Sequence, residues 1–310
     1  MRRQLPWTRA ALVVAACSVL SVADVSAQGP PPGAPPGAPP GAARQGGPRP
    51  QQKPDRKQLL VWCDQTGGGS YHDSTTHAMT VIEKMGRETG LWDTYIRTDS
   101  QLITKQKTTV HANGRDWPVS KTLDWFDAIF FCGMRELPLS DQQFADLLSF
   151  VRDDGKGFVA AHTAITAFVS RPEFAKLMGS AYDNHPWNQV EAKVIVEDPA
   201  FPAMKHFPPV FTFRDEMYQV KEFSRENARV LLRLDPASVD LKNPNVHRTD
   251  NDFPQAWAKN YGKGRVFVCA FGHEAATWDR PEIQTMWTEA IKWALGLTTA
   301  DITPRPLPTP

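Results

Sequence analysis

The stretch GKGFVAAHTA, residues 155–164, decides how this chain is read. Four apolar residues, Phe158, Val159, Ala160 and Ala161, run straight into His162 and then into small residues. A short apolar run preceded by glycine reads as a buried strand, and the small residues after it read as a sharp turn. In an open α/β sheet, that turn lifts one side chain above the carboxyl edge, where ligands bind. Hydrolases use the same turn to expose a nucleophile. Here the raised residue is a histidine, which attacks poorly but moves protons and binds metals well.

Working outward, strand patterns at 58–63, 92–97, 126–132 and 265–271 alternate with helix patterns at 74–89, 140–152, 171–178 and 283–295. Val190, Ala192, Val194 and Val196 alternate with other residues, as a half-buried strand requires. Further strands are expected at 211–213, 229–234 and 254–259, so the second half is β-rich. Residues 100–119 read as irregular, and Tyr261-Gly-Lys-Gly-Arg265 reads as a hairpin turn. The alternation predicts one α/β domain, a parallel sheet with helices on both faces.

The N-terminus reads differently. Residues 1–27 carry Arg2, Arg3 and Arg9, an apolar run over 10–22, and the small-residue site Val25-Ser26-Ala27, the pattern of a signal peptide. The run is shorter than the about 20 residues that span a bilayer, so no transmembrane segment is expected. Val14-Ala15-Ala16-Cys17 resembles a lipobox, which leaves lipid anchoring at Cys17 as the alternative to cleavage after Ala27. Either way the protein is expected to be exported, periplasmic or secreted. Residues 28–57 form a Pro/Gly-rich disordered linker, residues 58–297 the folded domain, and residues 298–310 a disordered tail. A net charge of +1 argues against a nucleic-acid partner; a homo-oligomer stays open. Cys63, Cys132 and Cys269 end strand-like runs without CxxC spacing, which argues against a cysteine zinc site. Buried free thiols are expected, although an exported protein can pair two of them.

Three histidines follow strand-like runs or Gly-rich turns: His72 after Gly67-Gly68-Gly69-Ser70-Tyr71, His162, and His273. In a parallel sheet all three emerge at one edge. The glycine run lacks both the P-loop and the GxGxxG pattern, so its backbone is expected to approach a polar substrate, with Gly68, Gly69, His72 and Asp73 at the rim. Thr163 lies beside the elbow. Glu274 adjoins His273 and is expected to orient it. Asp215, Glu216 and Tyr218 pair carboxylates with an aromatic ring, which suits sugar hydroxyls and a sugar's apolar face. His185 and Trp257 complete the substrate-facing set. His162, His185 and His273, with Glu216, could converge on a divalent metal such as zinc. His72 and His77 are five apart and do not make an HExxH face.

The segments GGGSYHD, GKGFVAAHTA, the loop to His185-Pro186, RDEMY, the long run DNDFPQAWAKNYGKGRVFVCAFGHEAATW and the IKWALG helix together resemble the ThuA-like (trehalose-utilisation) family over nearly all of residues 59–296. The resemblance implies a class I glutamine amidotransferase-like fold, a flavodoxin-like sheet. By that resemblance His162 stands where amidotransferases carry their nucleophilic cysteine, and His273-Glu274 resembles their His-x-Glu segment without the intervening residue. With no elbow cysteine, glutamine amidotransfer is not expected. The family's link to sugar catabolism, including keto-sugar derivatives, implies an exported carbohydrate-active enzyme, an isomerase, lyase or hydrolase acting on a sugar or keto-glycoside. His162 and His273 would be acid and base, since an ordinary histidine pKa of about 6.5 suits both roles, with Glu216 among the catalytic groups and a metal polarising the carbonyl. The alternatives are a non-catalytic carbohydrate-binding protein and a metal-dependent hydrolase.

Overall fold

A computed structural model describes residues 52–68, 72–119 and 121–308, which fall within one compact unit, Pro50–Pro310. The expected signal peptide, Cys17, residues 28–51 of the linker, and Gly69 lie outside the described residues. In chain order the elements are β1 (Lys57–Trp62), α1 (Ser74–Thr89), β2 (Trp92–Arg97), β3 (Thr109–Ala112), β4 (Arg115–Pro118), β5 (Ala128–Phe131), α2 (Asp141–Arg152), β6 (Gly157–Ala161), α3 (Pro172–Met178), β7 (Ala181–Asn184) and β8 (Gln189–Val196). They continue with β9 (Val210–Glu216), β10 (Gln219–Lys221), β11 (Arg229–Leu234), β12 (Pro254–Tyr261), β13 (Gly264–Cys269), α4 (Ala275–Asp279) and α5 (Pro281–Ala294).

The main sheet has nine strands in the order β2-β1-β5-β6-β13-β12-β11-β8-β9. From β2 to β13 neighbouring strands are parallel. From β12 to β9 each is antiparallel to its neighbour. The expected α/β domain is present, and the β-rich second half extends its parallel strands into a mixed sheet. The apolar runs are continuous because both faces of the parallel strands are covered. Leu59 and Val61 of β1 join the cluster that includes α1 and α5, while Leu60 and Trp62 join the cluster that includes α2 and α3. Helix ends follow local chemistry. Ser140 and Gln143 form a reciprocal capping box at the start of α2, and Gly90 takes a left-handed conformation, φ 68°, to close α1.

Two expectations are corrected. Residues 100–119 are not wholly irregular, since β3 and β4 pair as a hairpin. Among the described residues the segment after α5 carries no helix or strand, yet its start is tied to the domain. Ala300 and Ile302 pack on the core, and the carbonyls of Thr298 and Thr303 accept from Arg265 and Arg229. Among the described residues no helix is long and apolar enough to cross a membrane.

The cysteines also depart from expectation. Parallel pairing of β1 with β5 brings Cys63 and Cys132, each one residue past its strand, to a Cα separation of 4.7 Å, and they form a disulfide. Cys269 stays a free, buried thiol whose pKa burial pushes up. Closing a 69-residue separation contributes about 4 kcal/mol in the chain-entropy account. Reduction is therefore expected to lower the melting temperature by on the order of 10 °C for a domain of this size. Alkylation of the unfolded, unreduced protein followed by peptide mapping should modify Cys269 and spare Cys63 and Cys132; alkylation of all three would contradict the bridge.

Candidate functional site

The turn after β6 is the sharp elbow that the sequence suggested. His162 sits at φ 41°, a conformation that costs a residue with a side chain free energy and that collects at functional sites. Its ring is almost fully buried, at 2% exposure. Nδ1 lies 2.6 Å from the Ala270 carbonyl, which only accepts, so Nδ1 carries the proton. Nε2 faces the cluster and lies 3.2 Å from the Tyr218 hydroxyl.

Three strand ends converge there. The ring centroids of His72 and His162 are 5.2 Å apart, those of His72 and His273 4.6 Å, and those of His162 and His273 5.4 Å. Glu216, at the end of β9, lies among them at 8% exposure. Its Oε2 is 3.4 Å from His162 Nε2, 3.2 Å from His273 Nδ1 and 3.9 Å from His72 Nε2. Burial opposes the charge of Glu216, but contacts with His162, His273 and His72 outweigh it and hold the carboxyl well below the usual carboxylate range. In return, contact with Glu216 raises the pKa of His273 against the opposing effect of burial.

The cluster is only partly satisfied from within. Both ring nitrogens of His72 and Nδ1 of His273 are buried without an aligned hydrogen-bond partner among the described residues. One ligand atom from each of His72, His162, Glu216 and His273 lies within 4.8 Å of all the others. Three imidazoles and a carboxylate form a donor set suited to zinc or a similar ion, and unsatisfied ring nitrogens are what such a site leaves when described without its ion. The cluster could therefore hold a metal.

A second carboxylate does the positioning. Asp215 is fully buried and accepts from the backbone of Gly272 and His273 at 3.0 Å each, from Thr277 Oγ1 at 3.1 Å, and from Glu216 N at 2.8 Å. It locks the turn that presents His273. Gly272 in that turn has φ 133°, and a Cβ there would meet Trp278 at 2.8 Å, so no side chain fits.

The other expected site residues are placed as follows. Both Asp215 carboxylate oxygens are engaged by this turn. The Glu274 carboxylate lies 3.5 Å from Arg214 Nε, while the carboxylate in contact with the His273 ring is that of Glu216, 3.2 Å from Nδ1. Trp257 is fully buried and donates to the Met178 carbonyl, so it is core. Thr163 is buried and donates to the Cys132 carbonyl. Gly68 is exposed with nothing near its Cβ position; Gly67 lines the cavity instead. Asp73 borders a neighbouring cleft with His72. In the metal-ligand cluster His72 takes the place expected for His185, whose half-exposed ring is 3.6 Å from Glu216 Oε1. His77 pairs with Asp279, away from the cluster.

Above the cluster is a cavity of about 550 Å³ lined by His72, Glu216, His273, His185, Tyr182 and Tyr218, with Arg135 and Glu136 also on its wall. That size accommodates a sugar. Burial and the Glu216 charge raise the pKa of both tyrosines, that of Tyr182 to about 12, so their hydroxyls remain donors. Sequence reading missed Tyr182 and Arg135. Arg135 lies in the loop after β5 at the same offset as His273 after β13, so the strand-end rule that found His273 extends to it.

The chain belongs to the ThuA family, described as trehalose utilisation, whose model matches residues 58–294. That description names the family and does not identify a substrate for this chain. No curated protein matches the chain. Among solved structures, a putative ThuA-like protein from Bacteroides uniformis is similar at 20% identity and a TM-score of 0.60, covering 79% of this chain and 94% of that one. Another such protein, from Parabacteroides merdae, is similar at 14% identity and 0.58, covering 81% and 98%.

Asp215, near the end of β9, and Glu274, the residue after His273, make separable predictions. Asp215→Ala leaves buried donors unpaired and should cost about 3 kcal/mol or more in urea unfolding. Glu274→Gln, which loses only a partly exposed ion pair, should stay within about 0.5 kcal/mol of wild type. Equal effects would contradict the assignment of Asp215 as the structural carboxylate.

Proposed function

We propose that this protein is an exported, metal-dependent carbohydrate-active enzyme acting on a sugar or keto-glycoside. The observation that carries the reading is the convergence of His72, His162, His273 and Glu216, with ring nitrogens left unsatisfied. These four residues would hold a divalent ion such as zinc. When bound, the ion would act as a Lewis acid on a carbonyl or hydroxyl oxygen of the sugar.

The chain's own groups supply the rest. The Ala270 carbonyl holds the His162 tautomer that leaves Nε2 free to ligate, the usual device behind a metal-binding histidine. Glu216 supplies the negative charge that offsets a dication. Tyr182, half-buried with its hydroxyl protonated, donates to sugar oxygens and offers a ring face for stacking. His185, at the cavity wall and outside the ligand set, takes or delivers the proton beside the carbonyl. The acid/base role thus passes from His162 and His273 to His185. Hydrolysis uses the same donor set, so product analysis separates isomerisation, elimination and hydrolysis. The Cys63–Cys132 disulfide supports export, because such bonds persist in oxidising compartments.

Metal analysis of the purified protein should find about one divalent ion per chain, and zinc should raise the melting temperature of the stripped protein by mass action. His162→Ala and Glu216→Gln should each weaken zinc binding by more than about 100-fold, beyond the cost of losing a hydrogen-bond partner behind a ligand. Three imidazoles must be neutral to bind, and Glu216 raises the pKa of one of them, His273. Zinc affinity is therefore expected to rise with pH over about 6–8; a flat or falling profile by calorimetry would count against this ligand set. His185→Ala should keep zinc affinity while losing turnover of keto-glycosides, and retained turnover would remove His185 from the mechanism.

A further inference from the structure

We propose that the substrate carries a single carboxylate, as a sugar acid or keto-sugar acid does, and that Arg135 binds it. The inference rests on the reading of the cluster as a metal centre. Arg135 lines the same cavity as His72, Glu216 and His273. Its backbone is in the left-handed region at φ 61°, where residues with side chains are uncommon. The surrounding chain is pinned: the Arg135 carbonyl accepts from Phe168 N at 3.0 Å, and Met134 N donates to the Asp64 carbonyl at 3.3 Å. The adjacent Glu136 carboxylate is occupied by Ser170 N and Oγ, each at 2.8 Å.

The Arg135 guanidinium, by contrast, has no hydrogen bond or ion pair among the described residues. Arg225, Arg229 and Arg233 are each paired with buried carboxylates, so this chain does commit its arginines where they serve the fold. A pinned backbone that presents an exposed, uncommitted cation at the wall of the cavity is a recognition element for an anion.

Charge selects the kind of anion. The charged groups on the cavity wall besides the imidazoles are Glu216, Glu136 and Arg135. With a dication on the cluster and neutral imidazoles, one positive charge is left over. A carboxylate neutralises it; a doubly charged phosphate overshoots. The planar guanidinium fork also matches a carboxylate in two parallel hydrogen bonds.

The test uses the zinc-loaded full chain and three probes, D-glucuronate, D-glucose and D-glucose 6-phosphate, titrated by calorimetry into wild type, Arg135→Gln and Arg135→Lys. Wild type should bind glucuronate about tenfold or more tighter than either other sugar, as a charge-assisted pair implies. Arg135→Gln should lose that preference and keep wild-type zinc affinity, and Arg135→Lys should keep part of it. Glucuronate bound no tighter than glucose, a preference for the phosphate, or a preference unchanged in Arg135→Gln would each overturn the proposal. Zinc uptake is read separately. If wild type takes up no zinc, the metal reading fails, and the glucuronate preference and its loss in Arg135→Gln still decide the role of Arg135.

Discussion

A carboxylate buried among three imidazoles governs this structure. Removing an ion from water costs several kcal/mol unless partners replace the lost solvation. Glu216 meets that demand with His162, His273 and His72, and its pKa is held down as a result. The three histidines come from loops separated by long stretches of chain, and Glu216 comes from an antiparallel strand at the far end of the strand order. One charge therefore ties three loops to the end of β9. The arrangement leaves ring nitrogens unsatisfied, so the protein side alone does not complete it.

The two halves of the sheet have different tasks. The parallel strands deliver His162 and His273 at their carboxyl ends, where ligands are bound in α/β folds. The antiparallel half delivers two adjacent carboxylates with opposite assignments. Asp215 turns to the backbone of the His273 loop and fixes it; Glu216 turns to the rings. Adjacent residues on a strand point to opposite faces, so neighbours in sequence are free to serve unrelated ends. At the elbow, His162 has one nitrogen committed to a backbone carbonyl and the other aimed at the cluster, a geometry for binding and not for attack.

Much of this was legible in the sequence. Apolar runs before His162 and His273 gave buried strands, because a strand covered on both faces must be apolar throughout, and the two histidines at their ends followed from strand direction. Glu216 and Tyr218 were legible as a polar pair after a strand. What failed was the assignment of partners. Glu274 is next to His273 in sequence, but the partner of that ring comes from β9, a contact that only tertiary structure creates. Trp257 and Thr163 were read as site residues from their neighbourhoods, while their polar atoms are satisfied by the Met178 and Cys132 carbonyls. The disulfide depended on the register of β1 against β5, which no linear spacing encodes. Arg135 was within reach of the same strand-end rule but lacked a chemical motif to mark it.

The central claim is that the four-residue cluster is a metal centre. Anomalous X-ray diffraction at the zinc edge, on crystals of zinc-saturated protein, tests it most directly. One strong peak is expected, enclosed by His72 Nε2 or Nδ1, His162 Nε2, a ring nitrogen of His273 and a Glu216 oxygen, at ligand distances of about 2.0–2.2 Å. No peak at the cluster under saturating zinc, or a peak bound by residues elsewhere, would contradict it.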